Sequence, residues 1–405
     1  FGHFTILGDG RAIILGEHIT PNNDHVDIQY KGSGQTPYSR GADGRAALGP
    51  MLREYIISES MHGLGIPTTR SLAVTKTGEY VFRDSPLPGA ILTRVAKSHI
   101  RVGTFQYLAA KGDLETIKDL VTYSIKRHYP LYKNEDNLAL TLLNAVMEQQ
   151  INLIVHWMRV GFIHGVMNTD NMTISGETID YGPCAFMDQY DEKTCFSSID
   201  LQGRYSFGNQ PSIAQWNLAR FAETLLPLID KDKKKSIRIA EDSINSFKTM
   251  YEQTWLKMMK AKLGIFGEED KDLLLIQNLL NWMQVNKADY TNTFCYLMDQ
   301  RIGNREIYEE PTFLDWYKEW KGRLSKGEKS EDEILSIMKS ANPIIIPRNH
   351  KIEEALKDAE TNDDFSKLKD LLKFLETPYS FQEGINNFQE PAGIGYEEYR
   401  TFCGT

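Results

Sequence analysis

The sequence feature that most narrows the possible folds of this chain is a polar run followed, after a short gap, by an acidic triplet. The run is His164-Gly165-Val166-Met167-Asn168-Thr169-Asp170-Asn171, and the triplet is Asp180-Tyr181-Gly182. Taken separately, the Asp-Asn pair is typical of a turn and the triplet of a strand end. Their order, spacing and position between helical stretches favour a single functional loop that holds metal ions against phosphate groups.

The run and the triplet can be aligned with the H-R-D-x-x-x-x-N and D-F-G motifs of protein kinases. In that alignment Asn171 and Asp180 occupy the positions that bind the metal ions bridging the ATP phosphates. The position of the catalytic base is taken by Val166, whose side chain cannot accept a proton. Ordinary phosphorylation of a hydroxyl is therefore in doubt, although Asp170 supplies a carboxylate four residues further on.

The start of the chain predicts a small sheet, and most of the remainder predicts helices. Strands are predicted over residues 12–15, 26–31, 72–75, 80–83 and 90–95. An amphipathic helix between them is predicted by the spacing of Leu48, Met51, Leu52, Tyr55 and Ile56. From about residue 105 the pattern is helical, interrupted by a predicted hairpin over 172–180. We therefore expect an α+β, bilobal, protein-kinase-like fold: a sheet lobe over 1–104, and a helical lobe over 105–405 with the loop 164–182 and a C-terminal tail.

Charged residues upstream of the loop occur in the order found in kinases. Gly8-Asp9-Gly10-Arg11 reads as a turn whose backbone amides can approach phosphate. The period of two along its strand places Lys31 on the polar face, and Glu54 follows on the predicted helix, which suits a phosphate-positioning ion pair. Arg94 and Arg101 can bind phosphate oxygens through two guanidinium nitrogens. Each feature alone also fits a hairpin turn or a solvated surface charge.

Composition narrows the partners that we expect. The 405 residues carry a formal net charge of −9, which argues against the broad basic surface that nucleic-acid binding requires. The four cysteines are too widely spaced for a zinc site, and so few favour a reducing compartment. No uninterrupted apolar run approaches the roughly 18 residues of a membrane span, and the start lacks the apolar core of a signal peptide. We expect a bacterial cytoplasmic protein, or a mitochondrial one if eukaryotic, of unspecified oligomeric state.

Three long stretches of the sequence resemble the selenoprotein O family, also known as SelO or YdiU. The first comprises KGSGQTPYSR at 31–40, DGRA at 43–46 and LGIPTTR at 64–70. The second comprises HGVMNTDNM at 164–172 and TIDYGP at 178–183. The third is NPIIIPRNH at 342–350. The resemblance extends across most of the chain, and motifs of this length are specific.

The resemblance implies a pseudokinase that binds ATP in a reversed orientation and transfers AMP, rather than phosphate, to Ser, Thr or Tyr hydroxyls of proteins. Carried over position by position, the residues that contact ATP would be Gly8, Gly10, Arg11, Lys31, Asp43, Gly44, Arg94 and Arg101. Glu54 would position Lys31, and Asp170 would accept the substrate proton. The metal ion, Mg²⁺ with Mn²⁺ as an option, would be held by Asn171 and Asp180.

The same resemblance adds a pair of redox-active cysteines. Some family members pair a C-terminal cysteine with one that follows the metal-binding Asp, and Cys195 and Cys403 stand at corresponding positions; unpaired thiols are the alternative.

The residues leave two other functions open. The chain could also be a conventional kinase that uses Asp170 as its base, or a nucleotide-binding scaffold without catalysis. The expected partners are therefore ATP and hydroxyl-bearing proteins, without nucleic acid or membrane.

Overall fold

A sheet of five strands lies near the start of the chain in the computed structural model, which describes residues 10, 12–39, 41–299, 306–393 and 399–401. The strands are β1 (Ala12–Ile19), β2 (His25–Lys31), β3 (Ala46–Ala47), β4 (Arg70–Phe82) and β5 (Pro86–Ala96). Every pair is antiparallel: β2 pairs with β1 and β5, and β5 pairs also with β3 and β4. The small antiparallel sheet expected from the sequence is therefore present.

Two strands predicted separately from the sequence form one strand in the structure, with a bulge between them. The sequence predicted separate strands over 72–75 and 80–83, but β4 runs continuously from Arg70 to Phe82. Its register against β5 shifts between Lys76 and Tyr80. Gly78 has a φ of 78°, in the left-handed region that glycine adopts readily. The turn-forming residues therefore bulge out of the ladder without ending the strand.

The polar face of β2 is turned toward the interior of the molecule. Gln29 and Lys31 are 4% and 8% exposed, whereas Tyr30 between them is 38% exposed. Gln29 lies directly opposite Arg94 of β5, and Arg94 is also buried. Since successive side chains of a strand point to opposite faces, the alternation predicted from the sequence is present, and its polar side is the buried one. The sheet thus carries charged side chains inward.

Helix α1 (Leu48–Gly63) packs against β4 and β5. The apolar positions that predicted it are buried at Leu48, Met51, Leu52 and Ile56. Glu54 lies on the same helix and is only 2% exposed. A carboxylate is buried to this extent only when hydrogen bonds or opposite charges offset the loss of water. The partners of Glu54 are therefore part of the reason that α1 sits where it does.

Helices make up most of the chain beyond the sheet, as the sequence predicted. They are α2 (Val102–Ala110), α3 (Leu114–His128), α4 (Leu138–Val160), α5 (Gln210–Ile229), α6 (Lys233–Lys262), α7 (Asp272–Val285), α8 (Tyr290–Met298), α9 (Pro311–Ser325), α10 (Glu331–Ala341), α11 (Asn349–Asn362), α12 (Ser366–Leu375) and α13 (Asn386–Gln389). A two-stranded antiparallel ladder of β6 (Phe162–Ile163) and β7 (Ala185–Phe186) interrupts them. This ladder closes the loop that contains the polar run and the acidic triplet.

Helix α4 is apolar and long enough to cross a membrane if judged by length and composition alone. It has 23 residues, and its best window reaches a mean hydropathy of 1.3. The sequence offered no uninterrupted apolar run of that length because Glu148, Gln149 and Gln150 break it. In the structure 61% of the window is buried inside the molecule, where α4 packs against α3, α5 and α6. This burial is the pattern of a core helix.

The hairpin predicted over 172–180 is wrong, because its two halves pair with other parts of the chain. Thr173 forms an antiparallel bridge with Arg101, and Thr178 forms a parallel bridge with Thr68. The Thr173 hydroxyl closes the intervening turn by donating to the Glu177 carbonyl at 2.6 Å and accepting from the Glu177 amide at 2.9 Å. The side chain thus replaces the ladder bonds of a hairpin. The two bridges attach the loop to the residues that flank the sheet.

Candidate active site

Lys31 and Glu54 meet as a buried ion pair. Lys31 ends β2, and its Nζ lies 2.6 Å from Glu54 Oε2 on α1. The two side chains are 11% and 3% exposed, so little water screens the pair. Burial, the largest influence, acts to lower the pKa of Lys31, but the carboxylates of Asp180 and Glu54 outweigh it and raise that pKa. Lys31 is therefore positively charged at neutral pH.

Arg94 joins this pair from the neighbouring strand β5. Its Nε and Nη2 both donate to Gln29 Oε1, at 3.0 and 2.6 Å. Its Nη1 donates to Glu54 Oε1 at 3.2 Å and to Asp180 Oδ1 at 2.7 Å. Burial lowers the pKa of Arg94, yet the two carboxylates reverse the balance and raise it. Sequence reasoning missed Gln29; its signal was its place two residues before Lys31, on the same face of β2.

Asp180 is the point on which the cations converge. Its Oδ1 lies 2.9 Å from Lys31 Nζ and 2.7 Å from Arg94 Nη1, and its Oδ2 lies 3.8 Å from Arg101 Nη1. Burial acts to raise the pKa of this carboxyl, but the three cations hold it well below its usual range. The backbone of Asp180 has a φ of 62°, which is uncommon for a residue other than glycine. Such strain occurs where a side chain must be aimed at a site.

Arg101 lies at the junction between two parts of the molecule, which we name the sheet region (residues 12–96) and the helical region (residues 102–393). The next amide, that of Val102, donates to the Met172 carbonyl at 2.9 Å. Arg101 Nη1 donates to the Asp170 carbonyl at 3.3 Å. Burial lowers the pKa of Arg101 in spite of the nearby Asp180. Its guanidinium therefore contacts both acidic positions of the loop.

The loop residues Asp170 and Asn171 are held by hydrogen bonds within the loop. Asn168 Oδ1 accepts the amide of Asp170 at 3.0 Å and caps the short 3₁₀ helix Thr169–Asn171. Asn171 Nδ2 donates to the Val166 carbonyl at 2.9 Å. Because this bond occupies the amide nitrogen, the Asn171 oxygen is the atom suited to a metal ion. Val166 itself contributes a backbone carbonyl and no proton acceptor on its side chain.

His164 ties the start of the loop to the residue before Asp180. Burial lowers the pKa of His164, so its ring is neutral, and its Nε2 donates to the Ile179 carbonyl at 2.9 Å. The side chain of Gln210, the first residue of α5, accepts the His164 amide and donates to the Phe162 carbonyl, both at 3.0 Å. These bonds give His164 a structural role, and they fasten the loop to the helical core.

Asn171 offers an amide oxygen and Asp180 a carboxylate, both ligand types suited to Mg²⁺ or Mn²⁺. Protein sites for Mg²⁺ on nucleotides use one or two carboxylates, with water and substrate phosphates as the remaining ligands. Throughout the described part of the chain, no group of three or more His, Cys, Asp or Glu side chains could hold a metal ion unaided. The amide and carboxylate oxygens are thus ligands of the right chemical type for such an ion.

Gly10 and Gly44, two of the glycines predicted to contact phosphate, lie in or beside the segment that follows β2. The Ser39 hydroxyl donates to the Gly10 carbonyl, so the described end of the glycine turn lies against this segment. Gly44 has a φ of 66°, and a Cβ there would come within 2.1 Å of the Gly34 carbonyl oxygen. Only glycine can occupy that position without moving the backbone. The described residues of this loop, 32–39 and 41–45, are thereby folded back next to Lys31.

No described contact brings Asp43, another residue predicted to contact ATP, to the cluster. Asp43 accepts from Arg83 Nη1 at 2.8 Å, and its side chain is 45% exposed. The guanidinium of Arg83 holds the pKa of Asp43 below its usual value. Gly8 and Arg11 lie outside the described residues. The part of the prediction that concerns these positions stays a prediction.

Cys195 lies beside the described end of the chain. Its Sγ donates to Asp200 Oδ2 at 3.3 Å, and burial together with this carboxylate raises the pKa of the thiol to about 11. The amide of Thr401 donates to the Phe196 carbonyl at 2.8 Å, so residues 399–401 lie next to the Cys195 segment. Cys403, its expected partner, lies outside the described residues. The disulfide stays a prediction.

Comparison with known proteins assigns this chain to an enzyme family. The family model described as "Protein adenylyltransferase SelO" matches residues 1–376. Curated relatives named "Protein nucleotidyltransferase YdiU" cover all 405 residues: 58% identical in Nitrosococcus oceani, 56% in Bacillus cereus and 56% in Pelagibacter ubique, spanning 82%, 83% and 84% of those proteins. The class defined by the family model and these relatives is a protein nucleotidyltransferase. The chain belongs to the SelO family of protein adenylyltransferases, which confirms the resemblance of its motifs.

Proposed function

We propose that the cluster around Asp180 is the ATP site of a bilobal, protein-kinase-like fold. The smaller lobe, residues 1–104, contains the sheet region, and the larger lobe, residues 105–405, contains all but the first residues of the helical region. The observation that carries this proposal is the convergence of cations from the sheet region and the junction on one carboxylate of the helical region, at 2.7 to 3.8 Å. A triphosphate bound between the two lobes contacts both.

When ATP binds, its phosphate oxygens replace the carboxylates that the cations now contact. Lys31, Arg94 and Arg101 face the carboxylates of Asp180 and Glu54 before nucleotide arrives, and Asp170 adds negative charge near Arg101. A triphosphate brings more negative charge than Asp180 and offers bidentate acceptors to the guanidinium groups. The triphosphate therefore displaces Asp180 from Lys31 and Arg94. The released carboxylate oxygens then become available to a metal ion.

The proposed roles follow from this exchange. The residues that contact ATP are Gly8, Gly10, Arg11, Lys31, Asp43, Gly44, Arg94 and Arg101. Glu54 holds Lys31 in position, and Asn171 and Asp180 hold Mg²⁺, or Mn²⁺ in its place. The metal ion, when bound, neutralises charge on the phosphates. Preorganised cations aimed at developing charge are usually the largest contribution to catalysis, and here they face the departing pyrophosphate.

The reaction that we propose is AMP transfer to a Ser, Thr or Tyr hydroxyl of a protein substrate. The hydroxyl oxygen attacks the α-phosphorus, the bond from that phosphorus to the oxygen bridging to the β-phosphate breaks, and pyrophosphate leaves. Asp170 takes the hydroxyl proton, because Val166 at the usual base position offers no acceptor. The Asp170 backbone is held on both sides, its amide by Asn168 and its carbonyl by Arg101. The base is thus carried on a fixed backbone.

Paired isotope labelling tests this function. The full chain is incubated with Mg²⁺, a hydroxyl-bearing protein acceptor and ATP labelled on either the α- or the γ-phosphate. We expect protein-bound label from α-labelled ATP only, together with released pyrophosphate. Label transferred only from the γ-phosphate would identify a conventional kinase with Asp170 as base. Thermal stabilisation by ATP without any covalent product would identify a non-catalytic nucleotide-binding scaffold.

A further inference from the structure

The start of α1 is capped by a residue from the far end of the chain. Its N-cap, Ala47, has no side chain that can accept a hydrogen bond from the first turn. Instead the Gly49 amide donates to Glu360 Oε1 of α11 at 2.9 Å. A carboxylate is the group that the amides and dipole of a helix start favour. The helix that carries Glu54 therefore depends on α11 for a bond that most helices make locally.

The middle of α1 is held by the same helix α11. Arg53, directly before Glu54, is 7% exposed. Its Nη1 donates to Glu353 Oε1 of α11 at 2.9 Å, and its Nη2 donates to the Cys184 carbonyl at 2.8 Å. Cys184 follows the triplet that begins with Asp180. Arg53 thus connects α11 to the Glu54 helix and to the backbone that carries Asp180.

The end of α1 lies against the following helix, α12. A Cβ at Gly63 would come within 2.3 Å of the Leu375 carbonyl oxygen, so the two backbones approach as closely as glycine permits. One residue further on, the Leu64 carbonyl accepts the Tyr379 hydroxyl at 2.9 Å. Contacts at its start, middle and end therefore leave α1 little freedom to shift along or away from the sheet.

We propose that α11 and α12 act as a clamp that sets the position of α1 and, through Glu54, the position of Lys31 and Arg94 for AMP transfer. Glu353 and Glu360 are then positioning residues that contact no substrate. The inference rests on the proposed function of the Lys31–Glu54 pair and adds a set of residues to it. Because Glu54 binds both cations, a shift of α1 displaces two phosphate-binding groups at once.

Apolar packing alone does not account for the polar contacts of the clamp. Ile352, Ala355, Leu356 and Ala359 of α11 are buried and explain why the helix lies against the molecule. They do not require Glu360 to approach the start of α1, where burial raises the pKa of its carboxyl. An ordinary capping residue in place of Ala47 would satisfy the helix start locally. The long-range contact instead couples α1 to the C-terminal helices.

The Gly49→Ala variant tests the clamp without changing any charged residue. The added methyl would lie 2.4 Å from Glu360 Oε1, so the flexible carboxylate must swing away. Alanine also favours the helical conformation over glycine, which offsets the lost cap in overall stability. We expect Tm without nucleotide to stay near that of the wild type, kcat to fall about 10-fold, and the rise in Tm on adding ATP to shrink. Wild-type kcat together with wild-type ATP stabilisation would overturn the clamp.

Substitutions at Glu353 provide the matched set. Glu353→Ala removes the oxygen that accepts from both Arg53 and the Tyr399 hydroxyl, whereas Glu353→Gln keeps an oxygen there and should restore most of the lost kcat. Glu354→Ala, the exposed neighbour on α11 whose closest ion pair is with Lys351 at 3.9 Å, is the control and should behave as the wild type. A Glu353→Gln variant as impaired as Glu353→Ala would contradict positioning through this hydrogen bond.

Hydrogen exchange separates failure of the clamp from failure of the proposed function. We expect the amides of α1 to exchange faster in Glu353→Ala than in the wild type or Glu354→Ala, whether or not AMP is transferred. If the wild type transfers no AMP from α-labelled ATP, the proposed function is wrong while the exchange result still decides the clamp. Unchanged exchange in α1 with normal AMP transfer would show that α11 does not position this helix.

Discussion

The sheet region and the part of the helical region beneath the loop 164–182 bury very different side chains. In the sheet region the inward face carries Gln29, Lys31 and Arg94, all less than a tenth exposed. Beneath the loop the interior is aromatic: the ring of Phe162 lies 5.5 Å from that of Trp157 and 5.2 Å from that of Phe186. One side supplies charge and the other supplies a rigid support.

Because of this difference, neither region could form the site by itself. Buried cations need anionic partners, and the sheet region provides Glu54 while Asp180 comes from the helical region. The strained backbone of Asp180 persists only where the surrounding structure determines it strongly, which the packed aromatic support does. The result is a cluster with cations on one wall and oxygen ligands on the other. The following experiments test that contrast, beginning with the largest expected effect.

Removing the carboxylate supplied by the helical region should have the largest effect. We expect Asp180→Ala to reduce AMP transfer by about 10³-fold or more, because a metal ligand and the partner of three cations are lost together. ATP binding should persist, since the cations lose a competitor for phosphate. Transfer from α-labelled ATP and the ATP-induced change in Tm measure the two effects, with the exposed Asp270→Ala as control. Normal transfer in Asp180→Ala would contradict the metal assignment.

Burial of the Glu177 carboxyl next to Lys97 should make the junction sensitive to pH. Glu177 Oε2 accepts the Lys97 amide and the Ser175 hydroxyl, both at 2.9 Å, and burial raises its pKa from 4.5 to about 7. The native state therefore binds this proton more tightly than the unfolded state. The free energy of unfolding should fall by about 3 kcal/mol as pH rises from about 4.5 to about 7 and change little above that.

Denaturant titrations at several pH values measure this effect of Glu177. The Glu177→Gln variant keeps a hydrogen-bond acceptor for Lys97 and Ser175 but cannot ionise, so its stability should lack that part of the pH dependence. The same slope between pH 5 and pH 7 in both proteins would show that another group is responsible. Because Glu177 lies in the loop and Lys97 directly follows the sheet region, the result reports on the attachment of the two regions.

Replacing the proposed base should slow catalysis without weakening the cluster. Asp170→Asn preserves the size of the side chain and the backbone bonds to Asn168 and Arg101, so ATP binding should be unchanged. We expect kcat to fall about 10²-fold, the usual contribution of a general base. Steady-state kinetics with α-labelled ATP separate kcat from KM. An unchanged kcat would mean that the hydroxyl proton leaves by another route.

The smallest effect is expected at Asp43, which lies away from the described contacts of the cluster. Its ion pair with Arg83 is partly exposed, so Asp43→Ala should change stability by no more than about 0.5 kcal/mol. If Asp43 contacts ATP, the variant should raise KM for ATP about fivefold, the size of one lost hydrogen bond. Arg83→Ala breaks the same ion pair while keeping the carboxylate. Equal rises in KM for both variants would assign Asp43 a structural role instead.

Much of this arrangement could be predicted from the sequence, and the failures have identifiable causes. Helix α1 and the strand ending at Lys31 follow from local periodicity, which depends only on neighbouring residues. The hairpin over 172–180 was wrong because the Thr173 hydroxyl closes the turn, leaving the adjoining backbone to bridge Arg101 and Thr68. Gln29 was missed because a glutamine carries no motif signal. Its role depends on Arg94 lying directly across the sheet.

The residue types, their spacing and the family were determined by the sequence alone, because motif order and periodicity are properties of the chain itself. Which face of β2 points inward was decided only in the tertiary structure, since alternation defines two faces and packing chooses between them. The same holds for the convergence on Asp180 and for the hold of α11 on α1. The amide of Gly49 and the carboxylate of Glu360 are 311 positions apart, and no local pattern can join residues that meet only after the chain has folded.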